Sequence, residues 1–137
     1  MLTYLQERQD VHYEDMCEVF GGQGGTLRCV VRRKLTGHKN FDLTCGIDLM
    51  DPKEVKALFS YLESERVFCV VIGPPCTAFG PWSIVNRAKI STKTWKGRTD
   101  ILRNLNKTRR EGTRLANLAA SICEYQLSKG RHFICLL

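Results

Sequence analysis

Cys76 follows Pro74 and Pro75 at the end of the apolar run Val67 to Gly73. Two prolines fix the backbone and withhold donors, so the thiol is held stiffly where the run stops. A cysteine in such a place can act as a nucleophile. An unactivated thiol has a pKa of ~8.5, however, and needs positive charge or a base beside it to react at neutral pH. An ordinary buried thiol is the plainer alternative, because free cysteine is among the most buried residue types. A second feature is Gly21-Gly-Gln-Gly-Gly25, which lets a backbone approach a ligand closely, with the amide groups of a following helix free for a polar or anionic moiety. It is not a complete G-x-G-x-x-G, and it lacks the lysine and hydroxyl residue of a phosphate-binding loop, so a tight turn is its alternative. Asp48 is the third. It sits where nucleotide-binding α/β folds place an acid that accepts ribose hydroxyls, and a turn aspartate is its alternative.

These residues need elements to hold them. Met16 to Phe20 reads as a short strand ended by the glycines, and Thr26 to Leu35 as a helix stopped by Gly37. Phe41 to Leu49 reads as a second strand, with Asp48 near its end. Pro52 suits the first turn of a helix capped by Asp51, with Val55, Leu58, Phe59 and Leu62 as its apolar stripe and an end near Glu65. The continuous apolar run Val67 to Gly73 is the pattern of a parallel strand covered on both faces, hence central. Residues 80 to 98 read as a basic loop. A helix from Thr99 or Asp100 to Ser128 would bury Leu115, Leu118, Ala119, Ile122 and Leu127, with Gly112 weakening it by up to ~1 kcal/mol relative to alanine. Gly130 stops it, and a last strand starts at His132. Strands alternating with helices predict one α/β domain over residues 1–137, a three-layer α-β-α sandwich around a mainly parallel sheet. Residues 1–14 form a polar leader. Ligands of such folds bind at the carboxyl ends of the strands, where the glycine turn, Asp48 and Cys76 all fall.

The chain of 137 residues carries a formal charge of +7. Between Asn86 and Arg114 there are ten basic residues against two acids, so the excess lies wholly in this segment. A basic stretch with Trp82 and Trp95 nearby is what a phosphate backbone favours; a solvated helix face is the alternative. Seven cysteines, an odd number placed mostly in apolar stretches, argue against a secreted disulfide framework. With no C-x-x-C pair and three scattered histidines, no zinc-ligand spacing is present. No run reaches the ~20 apolar residues of a membrane span, and the N-terminus is polar, so an intracellular protein of nucleus or cytoplasm is expected.

Glu18-Val-Phe-Gly-Gly-Gln-Gly-Gly25 resembles the first motif of the DNA cytosine-5 methyltransferases, Asp-Leu-Phe-Ala-Gly-x-Gly-Gly. Gly73-Pro-Pro-Cys-Thr-Ala-Phe79 is similar to their catalytic Pro-Pro-Cys-Gln-x-Phe-Ser, with Thr77 for Gln and Gly80 for Ser. The resemblance spans about residues 15 to 135 and implies a Rossmann-like methyltransferase fold that binds S-adenosylmethionine. It implies that Phe20 packs on the adenine, that the backbone of Gly22, Gly24 and Gly25 cradles the amino-acid end, and that Asp48 takes the ribose or the adenine amino group. Cys76 would add to C6 of a flipped-out cytosine, making C5 nucleophilic enough to accept the methyl group, and elimination would then free the enzyme. Arg87, Lys93, Lys96 and Arg98 would hold the DNA backbone.

The departures carry equal weight. In the family a Glu-Asn motif follows the next strand, and its glutamate stabilises the protonated ring; here His132-Phe-Ile-Cys135 is followed by Leu136 and Leu137. The arginine-bearing motif, the target-recognition region and the last strands are likewise absent, so a C-terminally incomplete fragment or decayed copy is expected, with an exposed edge on its final strand open to association. The P-P-C-T core and Gly130-Arg-His-Phe133 also resemble domains of mobile-element, retrotransposon-type polyproteins. Three functions follow as expectations: a cytosine-5 methyltransferase-like domain impaired or inactive by itself, a non-catalytic relic that binds nucleic acid or a partner, or another thiol chemistry in which folding brings His132 to Cys76.

Overall fold

A computed structural model describes residues 14–76, 79 and 95–136, with side chains in the last segment from residue 97. Four strands form one sheet: β1 (Met16–Val19), β2 (Asn40–Phe41), β3 (Cys69–Ile72) and β4 (His132–Cys135). The order is β2-β1-β3-β4 and every pairing is parallel. The helices between them are α1 (Gly25–Arg32), α2 (Pro52–Ser64) and α3 (Trp95–Ser128). This is an α/β fold. β3 is central and buried along its whole length, as a continuous apolar run requires when both faces are covered.

Side chains alternate across the sheet. Cys17 and Val19 of β1, with Val70 and Ile72 of β3, join Leu58 and Leu62 of α2 and Ala119 and Ile122 of α3 in one core. Fully burying a leucine or isoleucine side chain stabilises by ~1.5–3 kcal/mol, so Leu58, Leu62 and Ile122 fix α2 and α3 to one face. The two helices also touch: the rings of Phe59 and Tyr125 meet edge to face at 5.4 Å. Glu18 and Val71 occupy the alternate positions and point to the other face.

Local chemistry sets the ends of the helices. The Asp51 side chain accepts from Lys53 N–H at 2.9 Å, and Pro52 fills the first turn of α2 as expected. α3 begins at Trp95, ahead of the expected Thr99 or Asp100, and runs unbroken through the buried Gly112. Tertiary packing of its later turns outweighs the glycine. Leu127 is not part of its buried face: it is 65% exposed, and Gln126 is fully buried instead. Residues 115, 119, 122 and 126 share a face at ~100° per residue, whereas 127 falls one step off it. Gln126 tolerates burial because its amide donates to the carbonyls of Val67 (3.2 Å) and His132 (2.9 Å).

The expected strand Phe41 to Leu49 is only Asn40–Phe41 long. Asp42 ends it by accepting from Thr44 N–H at 2.8 Å, capping a 3-10 turn over Leu43–Cys45, and Gly46 then turns the chain with φ 79°. A short polar side chain that bonds its own backbone competes with a sheet ladder, and here it wins. Among the described residues no helix is long and apolar enough to cross a membrane. β4 ends the sheet order, with Ile134 and Leu136 exposed.

Candidate functional site

The crevice follows from topology. The connection leaving the carboxyl end of β1 runs to β2 on one side and the one leaving β3 runs to β4 on the other, so the chain diverges between β1 and β3, which is where open α/β sheets bind ligands. The register pairs Val19 with Ile72. One residue further, Gly73 N–H donates to Val19 carbonyl at 3.0 Å, and a Cβ on Gly73 would lie 3.3 Å from the Phe20 carbonyl. The glycine turn and Pro74-Pro75-Cys76 therefore leave the sheet side by side. Between them lies a cavity of about 210 Å³ walled by Glu18, Phe20, Gly25, Val71, Gly73 and Leu136, among others.

The turn is held by side chains from β1 and from the end of β2. Gly21 N–H donates to Asn40 Oδ1 at 3.2 Å and Gly22 N–H to Asp42 Oδ2 at 3.0 Å. A Cβ at Gly21 would sit 2.8 Å from both Asn40 Oδ1 and Glu18 Cβ, so only glycine fits that approach. Gly24 caps α1 with φ 69°, a left-handed conformation, and offers no side chain to the helix amides. Glu18 supplies the cap from the strand below: its carboxylate accepts from Thr26 N–H and Leu27 N–H, both at 3.1 Å, while only 3% of the residue is exposed. Phe20 is also left-handed at φ 58°, a conformation costing an L-residue roughly 1–2 kcal/mol, and lies half-buried against the core. Strain of this kind gathers at sites.

Of the residues expected from sequence, Phe20 and Gly25 wall the crevice, Gly22 and Gly24 shape its turn, and Cys76 stands exposed just beyond Gly73. Asp48 is not among them. Its side chain accepts from Met50 N–H at 2.9 Å in a local turn, and the acid at the carboxyl end of β2 is Asp42. Burial opposes ionisation of Asp42, but hydrogen bonds from Thr44 N–H, the Thr44 hydroxyl and Gly22 N–H outweigh it and hold the carboxyl below its ordinary value. Sequence reasoning missed Glu18 as the helix cap. The acid at that motif position was the available signal, but the missing Ser, Thr, Asp or Asn ahead of α1 drew no attention to it.

The helix amides expected to be free are thus largely occupied by Glu18, and Gly25 N–H is the one on the crevice wall without a partner among the described residues. A ligand matched to this wall presents one carboxylate to that amide, a cationic group to Glu18 and an apolar or aromatic face to Phe20, Val71 and Leu136. S-adenosylmethionine has all three, so the donor set fits. The cavity is below the ~300 Å³ at which small-molecule pockets begin, and would enclose part of the cofactor with the rest along the rim.

Other thiols are placed differently. Cys17 and Cys69 are buried, and burial pushes both thiols up, Cys17 further with the charge of Glu14 beside it. His132 pairs in register with Cys69 and its ring meets Phe68 at 4.7 Å, at the amino end of the sheet. Cys76 lies past the carboxyl end of β3, so the fold separates the histidine from the thiol and removes that pairing as a chemistry. Arg87 and Lys93 lie outside the described residues; Lys96 belongs to the first turn of α3, and Arg98 is exposed on the same helix. Comparison of the chain with family models, with curated proteins and with solved structures returned no match.

Proposed function

We propose that the chain is an S-adenosylmethionine-binding domain of the DNA cytosine-5 methyltransferase type, with a three-layer, Rossmann-like fold. The observation that carries it is the β1–β3 register, which brings two motifs 50 residues apart in resemblance to one crevice mouth, Phe20 to Gly25 on one side and Gly73 to Cys76 on the other. The layers have independent support. The α1 crossover runs opposite to those of α2 and α3 across the sheet, and right-handed connections then send α1 to the opposite face.

When bound, S-adenosylmethionine supplies an electrophilic methyl group. The residues of this chain would orient it and supply the nucleophile: Gly25 N–H would meet its carboxylate, Glu18 its cationic end and Phe20 its adenine, and the Cys76 thiolate would add to C6 of a pyrimidine so that the electron pair moves to C5. Bonding of C5 to the methyl carbon would break that carbon's bond to sulfur, and loss of the C5 proton to a solvent base with expulsion of the thiolate would complete the exchange. Cofactor binding, with impaired or no transfer by these residues alone, is the activity proposed. Nucleic acid is the assigned partner, with Arg87, Lys93, Lys96 and Arg98 on its backbone. The exposed edge of β4 is a further place for association. A non-catalytic relic of a mobile-element polyprotein is the second reading, favoured by the likeness of Pro74-Pro75-Cys76-Thr77 and Gly130-Arg-His-Phe133 to such domains.

Equilibrium dialysis with tritiated S-adenosylmethionine, followed by a methyl-transfer assay on cytosine-containing DNA, tests the proposal. Saturable binding with little or no transfer is expected, and any transfer must vanish in Cys76→Ala. Absence of binding would sink the methyltransferase reading.

A further inference from the structure

α3 is 34 residues long, far longer than the four-residue strands it packs beside. Gln126 bonds carbonyls at the amino ends of β3 and β4, whereas Arg114 Nη2 reaches the carbonyl of Met50, which follows β2 at the carboxyl side, at 3.4 Å. The helix therefore passes the carboxyl rim near Arg114. Trp95 to Thr113, about 28 Å of helix at ~1.5 Å per residue, overhangs the end of the sheet that bears Cys76 and the glycine turn.

Its charge is arranged. Arg103, Lys107, Arg110 and Arg114 follow i, i+4, i+7, i+11 spacing and line, with Glu111, Asn106 and Met50, one open groove of about 480 Å³. The acids of the segment, Asp100 and Glu111, lie 3.8 Å from Arg103 and 4.0 Å from Lys107. Both pairs are exposed, and such pairs contribute only ~0.3–0.5 kcal/mol, so a phosphate can displace them. Arg109 and Arg110 make no ion pair among the described residues. Among the described residues the groove itself is lined by no aromatic side chain, so the stacking platforms that bind single strands are missing from it. An α-helix about 10–12 Å across that presents an exposed basic face matches the ~12 Å major groove of B-form DNA, while the deep narrow major groove of A-form RNA excludes it.

We propose that the overhanging half of α3 is a docking surface for B-form duplex DNA, with Arg103, Lys107, Arg110 and Arg114 on its phosphates. It rests on the nucleic-acid reading of the same rim and names the form and the contacts. Its failure is distinguishable, because DNA binding is read without cofactor, and cofactor binding by the same variants is read separately.

The test is fluorescence anisotropy on a labelled duplex DNA across a salt series. Replacing Arg103, Lys107, Arg110 and Arg114 by Gln should lower affinity at least tenfold and reduce the slope of log K against log salt by ~3–4, since each phosphate contact contributes ~0.9. Replacing Arg32, Arg33 and Lys34, exposed at the far end of α1, should leave affinity within about twofold. Circular dichroism checks folding. Should the fourfold variant not fold, Asp100→Asn with Glu111→Gln must instead raise affinity severalfold. An unchanged salt slope, an equal loss in the far-rim variant, no gain on removing the acids, or duplex RNA or single-stranded DNA bound as tightly as duplex DNA would each overturn the proposal.

Discussion

At the amino rim of the sheet Glu14 is 4% exposed, and its carboxylate accepts from His38 N–H at 2.6 Å and from the Tyr61 hydroxyl. At the carboxyl rim Phe20, Gly22 and Gly24 hold left-handed conformations, and Cys76 is in the open. The amino rim spends its polar groups on one another: Arg131 donates to the Leu62 carbonyl at 2.7 Å and Gln126 to two more. The carboxyl rim spends Glu18, Asn40 and Asp42 on shaping a turn, and leaves the Gly25 amide and half-buried Phe20 on the crevice wall and Cys76 exposed. Left-handed residues occur at both rims, Lys34 and Arg66 at the amino one, so what separates the two ends is that one pairs its polar groups with one another and the other uses them to shape an open turn.

The sharpest way to break that contrast is at the amino rim. Glu14→Ala strands the Tyr61 hydroxyl and an amide, and hydrogen bonds to charged groups contribute ~1.5–3 kcal/mol each, so a loss of about 2–4 kcal/mol in urea unfolding is expected. S-adenosylmethionine affinity of the folded fraction should not change. Glu18→Ala at the other rim removes two helix-cap bonds, with an expected loss of about 1–2 kcal/mol, and at least a tenfold loss of cofactor affinity by calorimetry. Equal cofactor loss in both variants would erase the distinction between the rims.

pH separates them next. Asp42 is held below its ordinary value, so its contribution is in full above ~3.9 and disappears as pH falls through the lower folded value; cofactor affinity should fall with it. Tyr61 is pushed up, first by burial and then by its hydrogen bond to Glu14, so its contribution is intact below ~10 and drains away as pH rises beyond it. Denaturant midpoints across pH should therefore show an acid loss weakened in Asp42→Asn and an alkaline loss weakened in Tyr61→Phe. The smallest effect is at Cys76. Because the thiol is exposed, Cys76→Ala should change stability by no more than about 0.5 kcal/mol while ending any covalent chemistry.

Much of the frame was legible in sequence where one local signal decided the outcome. The apolar run ending at Gly73 marked the central strand, and Asp51-Pro52 marked the start of α2. The misses came where distant residues decide. Phe41, Leu43, Cys45, Ile47 and Leu49 alternate like a strand, yet Asp42 turns the chain by bonding Thr44, so the acid at the strand end is Asp42 and not Asp48. Glu14 looked like the last residue of a polar leader because its partner Tyr61 lies 47 positions away. In the overhang of α3 Ile101 and Leu105 carry on the spacing of the buried face, and only the completed sheet shows where the helix leaves the core. The sheet order, which makes neighbours of the two motifs, is likewise a tertiary fact.

The adjacency of Phe20–Gly25 and Gly73–Cys76 is tested most directly by titrating the 15N-labelled chain with S-adenosylmethionine and following backbone amides. Saturable shifts that appear together at Phe20 to Leu27 and at the amides of Gly73 and Cys76, leaving Glu14 and His38 unmoved, are predicted. Shifts confined to one motif, or centred on the amino rim, would contradict a shared crevice.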